Sequence, residues 1–300
     1  MLCGPTATGK TSLSLALAKA LDGEIVCADS MQIYRGLPIG TAQPTAGEQR
    51  AAVHHLVGFL PPEERFSVAQ YQQAAGACIR DIAARGRVPL LVGGTGLYID
   101  SVVKGVRFTE QNTDLSVRQR LEQRAEAEGM EALYAELCRI DPPCAAALHP
   151  HNRTRVLRAL ELYEQTGRTM TQQLAASLPA EPPYRAVVLG LTFPDRQLLY
   201  DRADARVDAM LRAGLLDEAR TVYEHRAAYQ TAAQAIGYKE FFPFFAGQEP
   251  LAACTARLKQ ATRNYAKRQL TWFRRTPGLR WLDAGAADLA AQALACWKEG

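Results

Sequence analysis

No stretch of these 300 residues approaches the ~20 consecutive apolar side chains that cross a bilayer. The longest apolar runs, such as Val88–Val92 and Val187–Leu191, are strand-sized. No charged-then-apolar leader precedes Gly4, so a soluble cytoplasmic protein with no membrane partner is expected. Cysteine is sparse and unpatterned: seven residues, an odd number, with no CxxC pair and no Cys/His cluster, which favours reduced thiols over a disulfide framework or a zinc site. Internal repeats and low-complexity tracts are also missing. A chain 48% hydrophobic and 22% charged is neither disordered nor collagenous, and its length exceeds a typical domain of ~100–200 residues. Net charge is only +4, too little to argue for nucleic acid by itself. The more telling absence is local. Between Pro250 and Leu282 there is no Asp or Glu, while Arg257, Lys259, Arg263, Lys267, Arg268, Arg274, Arg275 and Arg280 all fall there. That imbalance calls for an anionic partner.

The chain opens in the order strand, loop, helix. Met1–Cys3 precedes Gly4-Pro5-Thr6-Ala7-Thr8-Gly9-Lys10-Thr11, and Ser12–Leu21 follows with Leu13, Leu17, Ala20 and Leu21 at helical spacing. Three residues are few against the ~5–6 of an ordinary strand, so a clipped first strand is expected, as from a late assigned start. Glu24–Ala28 is a β-type run ending at Asp29, and Val88–Val92 ends at Gly93-Gly94-Thr95-Gly96. Strands alternating with helices predict right-handed βαβ units, a parallel sheet covered on both faces, and ligands beyond the carboxyl ends of the strands. Asp29 and Thr95 then meet on that edge beside Gly4–Thr11. From about Asp114 to Thr171 the pattern turns helical, over Leu115–Glu128, Met130–Ile140 and Arg153–Thr166. Ala186–Leu191 and Leu279–Leu282 are the remaining strand candidates.

Gly4-x4-Gly9-Lys10-Thr11 has the phosphate-loop pattern in the context that pattern requires. Glycines let the backbone turn its N–H groups around phosphate oxygens at a helix N-terminus, Lys10 adds a point charge, and Thr11 offers an oxygen to Mg²⁺. The expected fold is therefore α/β, a P-loop NTPase-like parallel sheet core over 1–113 and 186–300, with an inserted all-helical domain over 114–185. The motif does not say whether ATP is hydrolysed, a phosphoryl group is moved, or diphosphate leaves. A nucleotide or small-molecule kinase would need lid arginines, and an ATPase an apolar strand ending in a metal-binding Asp. Leu90-Leu91-Val92 ends instead in glycines, which leaves Asp29 as the strand-end carboxylate: a helix-cap or turn residue, a holder of the Mg²⁺ water shell, or a base for a nucleophile approaching the bound group. Arg202 and Arg206, spaced i and i+4, read first as a solvated helix face. Arg263, Lys267 and Arg274 share a helical face with Tyr265, Trp272 and Phe273 interleaved, a pattern either for RNA backbone and base stacking or, for the aromatics, for core packing. His54-His55 lacks metal spacing and reads as structural.

Taken together, Gly4–Thr11, Asp29-Ser30-Met31-Gln32, Gly40-Thr41-Ala42, Leu91–Tyr98, Ala235-Ile236-Gly237-Tyr238-Lys239-Glu240 and Lys267–Arg274 resemble the bacterial tRNA dimethylallyltransferases, the IPP transferase family, from Gly4 to about Leu282. The zinc-finger tail of many eukaryotic relatives is missing. Thr8 stands where serine is usual, and Val57-Gly58-Phe59 where an acidic residue is common.

The resemblance implies transfer of a dimethylallyl group from its diphosphate to N6 of the adenine 3′ of the anticodon, in tRNAs reading codons that begin with U. It implies Mg²⁺ as cofactor, with Thr11 as its protein ligand, and the tRNA anticodon stem-loop and dimethylallyl diphosphate as partners of a monomer. Gly4, Thr6, Ala7, Thr8, Gly9, Lys10 and Thr11 would bind the diphosphate. Asp29 would be the general base, Thr95 would contact the reacting nucleotide, and Arg206 would be the further cation on the leaving group. Asp29, Ser30, Met31, Gln32 and Thr95 would also touch tRNA, together with Arg118 and with Thr154, Arg155, Val156, Leu157 and Arg158. So would Gln234, Ala235, Ile236, Gly237, Tyr238 and Lys239, and finally Lys267, Arg268, Gln269, Leu270, Thr271, Trp272, Phe273 and Arg274.

Overall fold

A computed structural model describes residues 1–108 and 115–299. Its sheet has six parallel strands: β1 (Leu2–Cys3), β2 (Gly23–Ala28), β3 (His54–His55), β4 (Val88–Gly93), β5 (Leu189–Thr192) and β6 (Arg280–Asp283), in the order β3-β2-β4-β1-β5-β6. The short β1 lies at the centre, between β4 and β5. Alternation along the strands sends neighbouring side chains to opposite faces. Val26 and Leu91 join Tyr71, Ile79 and Ile82 of the helix Val68–Ala84 on one side, together with Ile99 and Phe273. Ile25, Leu90 and Val92 join Leu13 and Leu17 of the helix Lys10–Ala20 on the other. Both faces are thus covered, as the alternating pattern predicts.

The chain divides into two compact units, one of Met1–Val103 with Tyr184–Gly300 and one of Lys104–Pro183. Asp114, the expected start of the insertion, lies outside the described residues. The second unit begins earlier, at Lys104, because the segment after it is tied into that unit: Arg107 N donates to the Ser177 carbonyl at 2.7 Å. This unit is built of the helices Leu115–Ala127, Met130–Ile140, Pro142–Ala146, Arg153–Thr166 and Met170–Ser177 around Leu121, Leu133, Leu137, Val156, Leu157 and Leu160.

Two features of the first unit have no signal in the sequence pattern, the strand at His54–His55 and the ion cluster at Glu24. His54 and His55 form the edge strand β3, where His55 Nε2 lies 2.7 Å from Glu24 Oε2, so their role is structural. Glu24 is almost wholly buried and also takes Arg85 and Arg87, and the Arg85 guanidinium first of all holds its carboxyl far below the usual carboxylate range. Among the described residues no helix is long and apolar enough to cross a membrane.

Candidate active site

Beyond the carboxyl ends of β1, β2 and β4 lies a cavity of about 400 Å³, and all its lining residues belong to the first unit. The phosphate loop forms one wall. Gly9, with φ +81°, takes the left-handed turn into the helix Lys10–Ala20, and Ala7 adopts φ +67° without being glycine, a strained conformation held by the loop. Thr6, Ala7, Gly9, Lys10 and Thr11 face the cavity. Thr8 does not. It is 1% exposed and its hydroxyl donates to the Pro5 carbonyl at 2.9 Å, so its side chain braces the loop rather than meeting a ligand. Gly4 is likewise buried, with the Leu191 carbonyl 2.6 Å from where a Cβ would stand. The Thr6 amide is also withdrawn, donating to Gln269 Oε1 at 2.9 Å.

Lys10 Nζ donates to the carbonyls of Gly4 (3.0 Å) and Pro5 (2.7 Å). Burial, and then the charge of Arg206, lower its pKa to about 8, against the opposing pull of Asp29. Burial also lowers Arg206, again opposed by Asp29. Two cations therefore share one carboxylate at the cavity wall. That answers the choice left open for Arg202 and Arg206: Arg206 turns into the cavity, while Arg202 stays exposed, its Nε 3.2 Å from the Ala7 carbonyl.

Asp29 is both a turn residue and a cavity residue. Its Oδ1 accepts from Met31 N (2.9 Å) and Gln32 N (3.3 Å), and among the described residues none donates to Oδ2. Ser30, Met31 and Gln32 line the cavity with it, but the Gln32 amide is engaged internally, donating to the carbonyls of Ala42 (2.8 Å) and Thr41 (3.3 Å). Thr95 sits one step behind the lining. Its hydroxyl accepts from Ser30 N at 3.0 Å, which holds the Asp29 loop in place.

Tyr265, read from sequence as one of the interleaved aromatics, and Glu218, which no motif singled out, matter here. Tyr265 lines the cavity against the side chains of Thr95 and Gln269, and burial together with Asp29 pushes its phenol upward in pKa. Glu218 takes Ile39 N (2.9 Å), Gly40 N (2.7 Å) and the Tyr238 hydroxyl (2.7 Å), joining the Gly40–Ala42 and Gln234–Gly237 walls. The fit is tight: a Cβ on Gly40 would lie 2.5 Å from the Tyr238 ring. One acidic residue on an amphipathic helix gives no signal of this in sequence.

Several residues expected at RNA are instead in the interior. Tyr238 is fully buried, Ala235 and Gly237 nearly so, and Gln234 and Lys239 are exposed, with Ile236 between. In the helix Leu251–Phe273 the periodicity turns Ala266, Gln269, Leu270 and Phe273 inward and Lys267, Arg268, Thr271 and Trp272 outward. Leu270 and Phe273 are core residues. Trp272 is 37% exposed, with its indole N–H on Asp100 at 3.2 Å, and Arg274 follows it on the surface. In the second unit Val156 and Leu157 are completely buried core, whereas Thr154, Arg155 and Arg158 are exposed. Arg158 pairs with Glu161 at 2.9 Å and Arg118 with Glu122 at 2.8 Å.

The basic run is less bare than it reads. Lys259 pairs with Asp208 (2.7 Å), Arg263 with Asp204 (2.6 Å), Arg257 with Glu249 and Arg280 with Glu299 (2.6 Å). Among the described residues no acidic side chain pairs with Lys267, Arg268, Arg274 or Arg275, and Arg268 lies 5.8 Å over the Tyr265 ring.

This arrangement can hold an anion at the loop, present a carboxylate beside it, and enclose an apolar group against Met31, Val207, Met210, Ile236 and Leu258. Known proteins resemble the chain throughout. Residues 32–276 match the family described as IPP transferase, and residues 1–54 the one described as isopentenyl transferase. A Bacillus velezensis protein named tRNA dimethylallyltransferase is 48% identical over 94% of this chain and 90% of its own, and one from Bacillus subtilis with the same name is 47% identical over the same shares. The solved tRNA isopentenylpyrophosphate transferase of Bacillus halodurans aligns with TM-score 0.72 at 42% identity, covering 99% of this chain and 96% of the other. A eukaryotic dimethylallyltransferase, captured acting on tRNA, aligns with TM-score 0.81 at 29% identity over 98% of this chain and 76% of its own. The phosphate loop, the carboxylate beside it and this likeness along nearly the whole chain have one explanation: the protein belongs to the IPP transferase family.

Proposed function

We propose that the protein transfers a dimethylallyl group from dimethylallyl diphosphate to N6 of the adenine 3′ of the anticodon, in tRNAs reading codons that begin with U. The observation that carries this reading is the composition of one cavity, which joins an anion loop, an apolar wall and the Asp29 carboxylate. Phosphoryl transfer gives no role to an apolar wall of Met31, Val207, Met210, Ile236 and Leu258 beside the anion loop, and the cavity edge at β4 is glycine where an ATPase would place a metal-binding Asp.

The chemistry then follows from the residues. The adenine N6 attacks C1 of the dimethylallyl group as the C1–O bond breaks, and that electron pair leaves on the diphosphate. A neutral aromatic amine is a weak nucleophile, so Asp29, with Oδ2 available, accepts its proton as the C–N bond forms, an effect typically worth ~10²–10⁴-fold. Lys10 and Arg206 stabilise the charge growing on the departing oxygen. Thr11 lines the cavity and carries a hard oxygen donor, and among the described residues no cluster of three acidic, His or Cys groups offers an all-protein metal cage. Thr11 would help to hold Mg²⁺, and a bound ion would supply neutralisation of leaving-group charge. The exposed Lys267, Arg268, Trp272 and Arg274 would receive the anticodon stem-loop, with Thr154, Arg155 and Arg158 of the second unit as further contacts. Extrusion of the base costs least in a single-stranded loop. On this reading the protein works as a cytoplasmic monomer.

Incubation with unmodified tRNA and labelled dimethylallyl diphosphate, beside ATP with free nucleosides, tests the reading. Label should enter RNA. Phosphoryl transfer from ATP with no label in RNA would establish the kinase instead.

A further inference from the structure

Gln269 stands on the helix Leu251–Phe273 between the exposed Lys267, Arg268 and Thr271, yet it is only 5% exposed itself. Both ends of its amide are used. Oε1 accepts from Thr6 N in the phosphate loop at 2.9 Å, and Nε2 donates to the Gly94 carbonyl after β4 at 2.9 Å. The backbone is shaped to admit it, since a Cβ on Gly94 would stand 2.2 Å from Nε2. Tyr265, one turn earlier, contacts the same side chain at the cavity wall. A phosphate loop ordinarily turns its amides toward the anion. Here one of them is held by the helix that carries the unpaired cations.

We propose that Gln269 is a positioning residue, the link through which the basic helix sets the geometry of the phosphate loop, so that RNA on the helix and diphosphate in the loop bind cooperatively. A polyanion drawn to Lys267 and Arg268 acts on the helix, the helix carries the amide, and the amide holds Thr6 and Gly94 on either side of the anion site. By reciprocity, diphosphate tightens RNA by the same factor. The inference deepens the tRNA reading and rests on it for the identity of the polyanion. The amide is buried and engaged at both ends within the protein, which makes it a positioning group and not a surface offered to RNA.

Calorimetric titration with inorganic diphosphate tests this, in the presence and absence of an unmodified anticodon stem-loop RNA. In the wild type the RNA should tighten diphosphate severalfold. Gln269→Leu, of similar volume, should weaken diphosphate alone by about tenfold, as expected for two lost hydrogen bonds, and bring the RNA effect to unity. Its RNA affinity measured alone should stay within about twofold of wild type, while steady-state KM for the diphosphate ester should rise and KM for RNA at saturating diphosphate ester should rise only by the lost coupling factor. If Gln269→Leu does not fold, Gln269→Glu carries the test, since it keeps an acceptor for Thr6 N but sets an oxygen against the Gly94 carbonyl. Wild-type diphosphate affinity in either folded variant, an undiminished RNA effect, or a loss confined to RNA would overturn the proposal. Because inorganic diphosphate is the probe, this result is independent of whether isoprenoid reaches RNA.

Discussion

Raising the pH from 7 to 9 should weaken binding of an unreactive dimethylallyl diphosphate analogue by about tenfold. The perturbed group is Lys10, whose ammonium lies on the Gly4 and Pro5 carbonyls and whose pKa burial and Arg206 lower to about 8. With that pKa it is about 90% charged at pH 7 and about 10% charged at pH 9, whereas a free lysine near 10.4 would scarcely change. If only the ammonium grips the anion, apparent affinity follows the charged fraction. Folding stability runs the other way. The native pKa lies below the unfolded one, so above pH 8 the unfolded chain holds more protons, and stability rises with pH until about 10.4. Opposite slopes of ligand affinity and ligand-free melting temperature identify the group. The assay is calorimetry and thermal melting at pH 7, 8 and 9 with an analogue fully ionised throughout, using Lys10→Arg, which stays charged, as the reference. A wild-type affinity flat to pH 9.5, or an equal fall in Lys10→Arg, would refute the reasoning.

Asp29→Ala should lower single-turnover transfer by about 10²–10⁴-fold while tRNA affinity, read by filter binding, largely survives; equal loss of binding would remove its role as base. Arg206→Ala should slow turnover and weaken diphosphate together, and retained activity would exclude it from the site. Glu218→Ala strands the buried Tyr238 hydroxyl and two backbone N–H groups, so melting should fall by about 2–4 °C for each kcal/mol lost. Its KM for the diphosphate ester should rise as the wall loosens; an unchanged melt and KM would show the clamp to be idle. Lys267→Ala with Arg274→Ala should weaken RNA binding uniformly across sequences and reduce the slope of log affinity against log salt by about 2 for two lost phosphate contacts. An unchanged slope would place the RNA elsewhere.

Local signals made much of this legible. The phosphate loop was readable because its glycines, Lys10 and Thr11 sit in one contiguous run, and the parallel sheet because strands and helices alternate. What failed depended on partners distant in the chain. The run from Arg257 to Arg280 looked uniformly unpaired, but Asp204, Asp208, Glu249 and Glu299 on neighbouring elements neutralise four of its members. Contiguous motif segments were also read as contiguous surfaces. Helical periodicity contradicts that: Val156 and Leu157 turn into a core between exposed neighbours, and Phe273 is interior where Trp272 is not. The edge strand His54–His55 has two residues and no alternation to read. Glu218 and Tyr265 acquire their roles only when the Gly40 and Thr95 loops are brought against them.

The sorting of charge along Leu251–Phe273 gives that helix a direction. Its 23 residues extend about 35 Å, with acid-compensated cations in the first part and uncompensated ones crowded at the far end and just past it. A nucleic acid diffusing nearby would feel attraction concentrated at one tip, where Arg268 also borders the cavity. On the proposed tRNA reading, that distribution would draw the RNA first to the mouth of the cavity and not evenly along the helix.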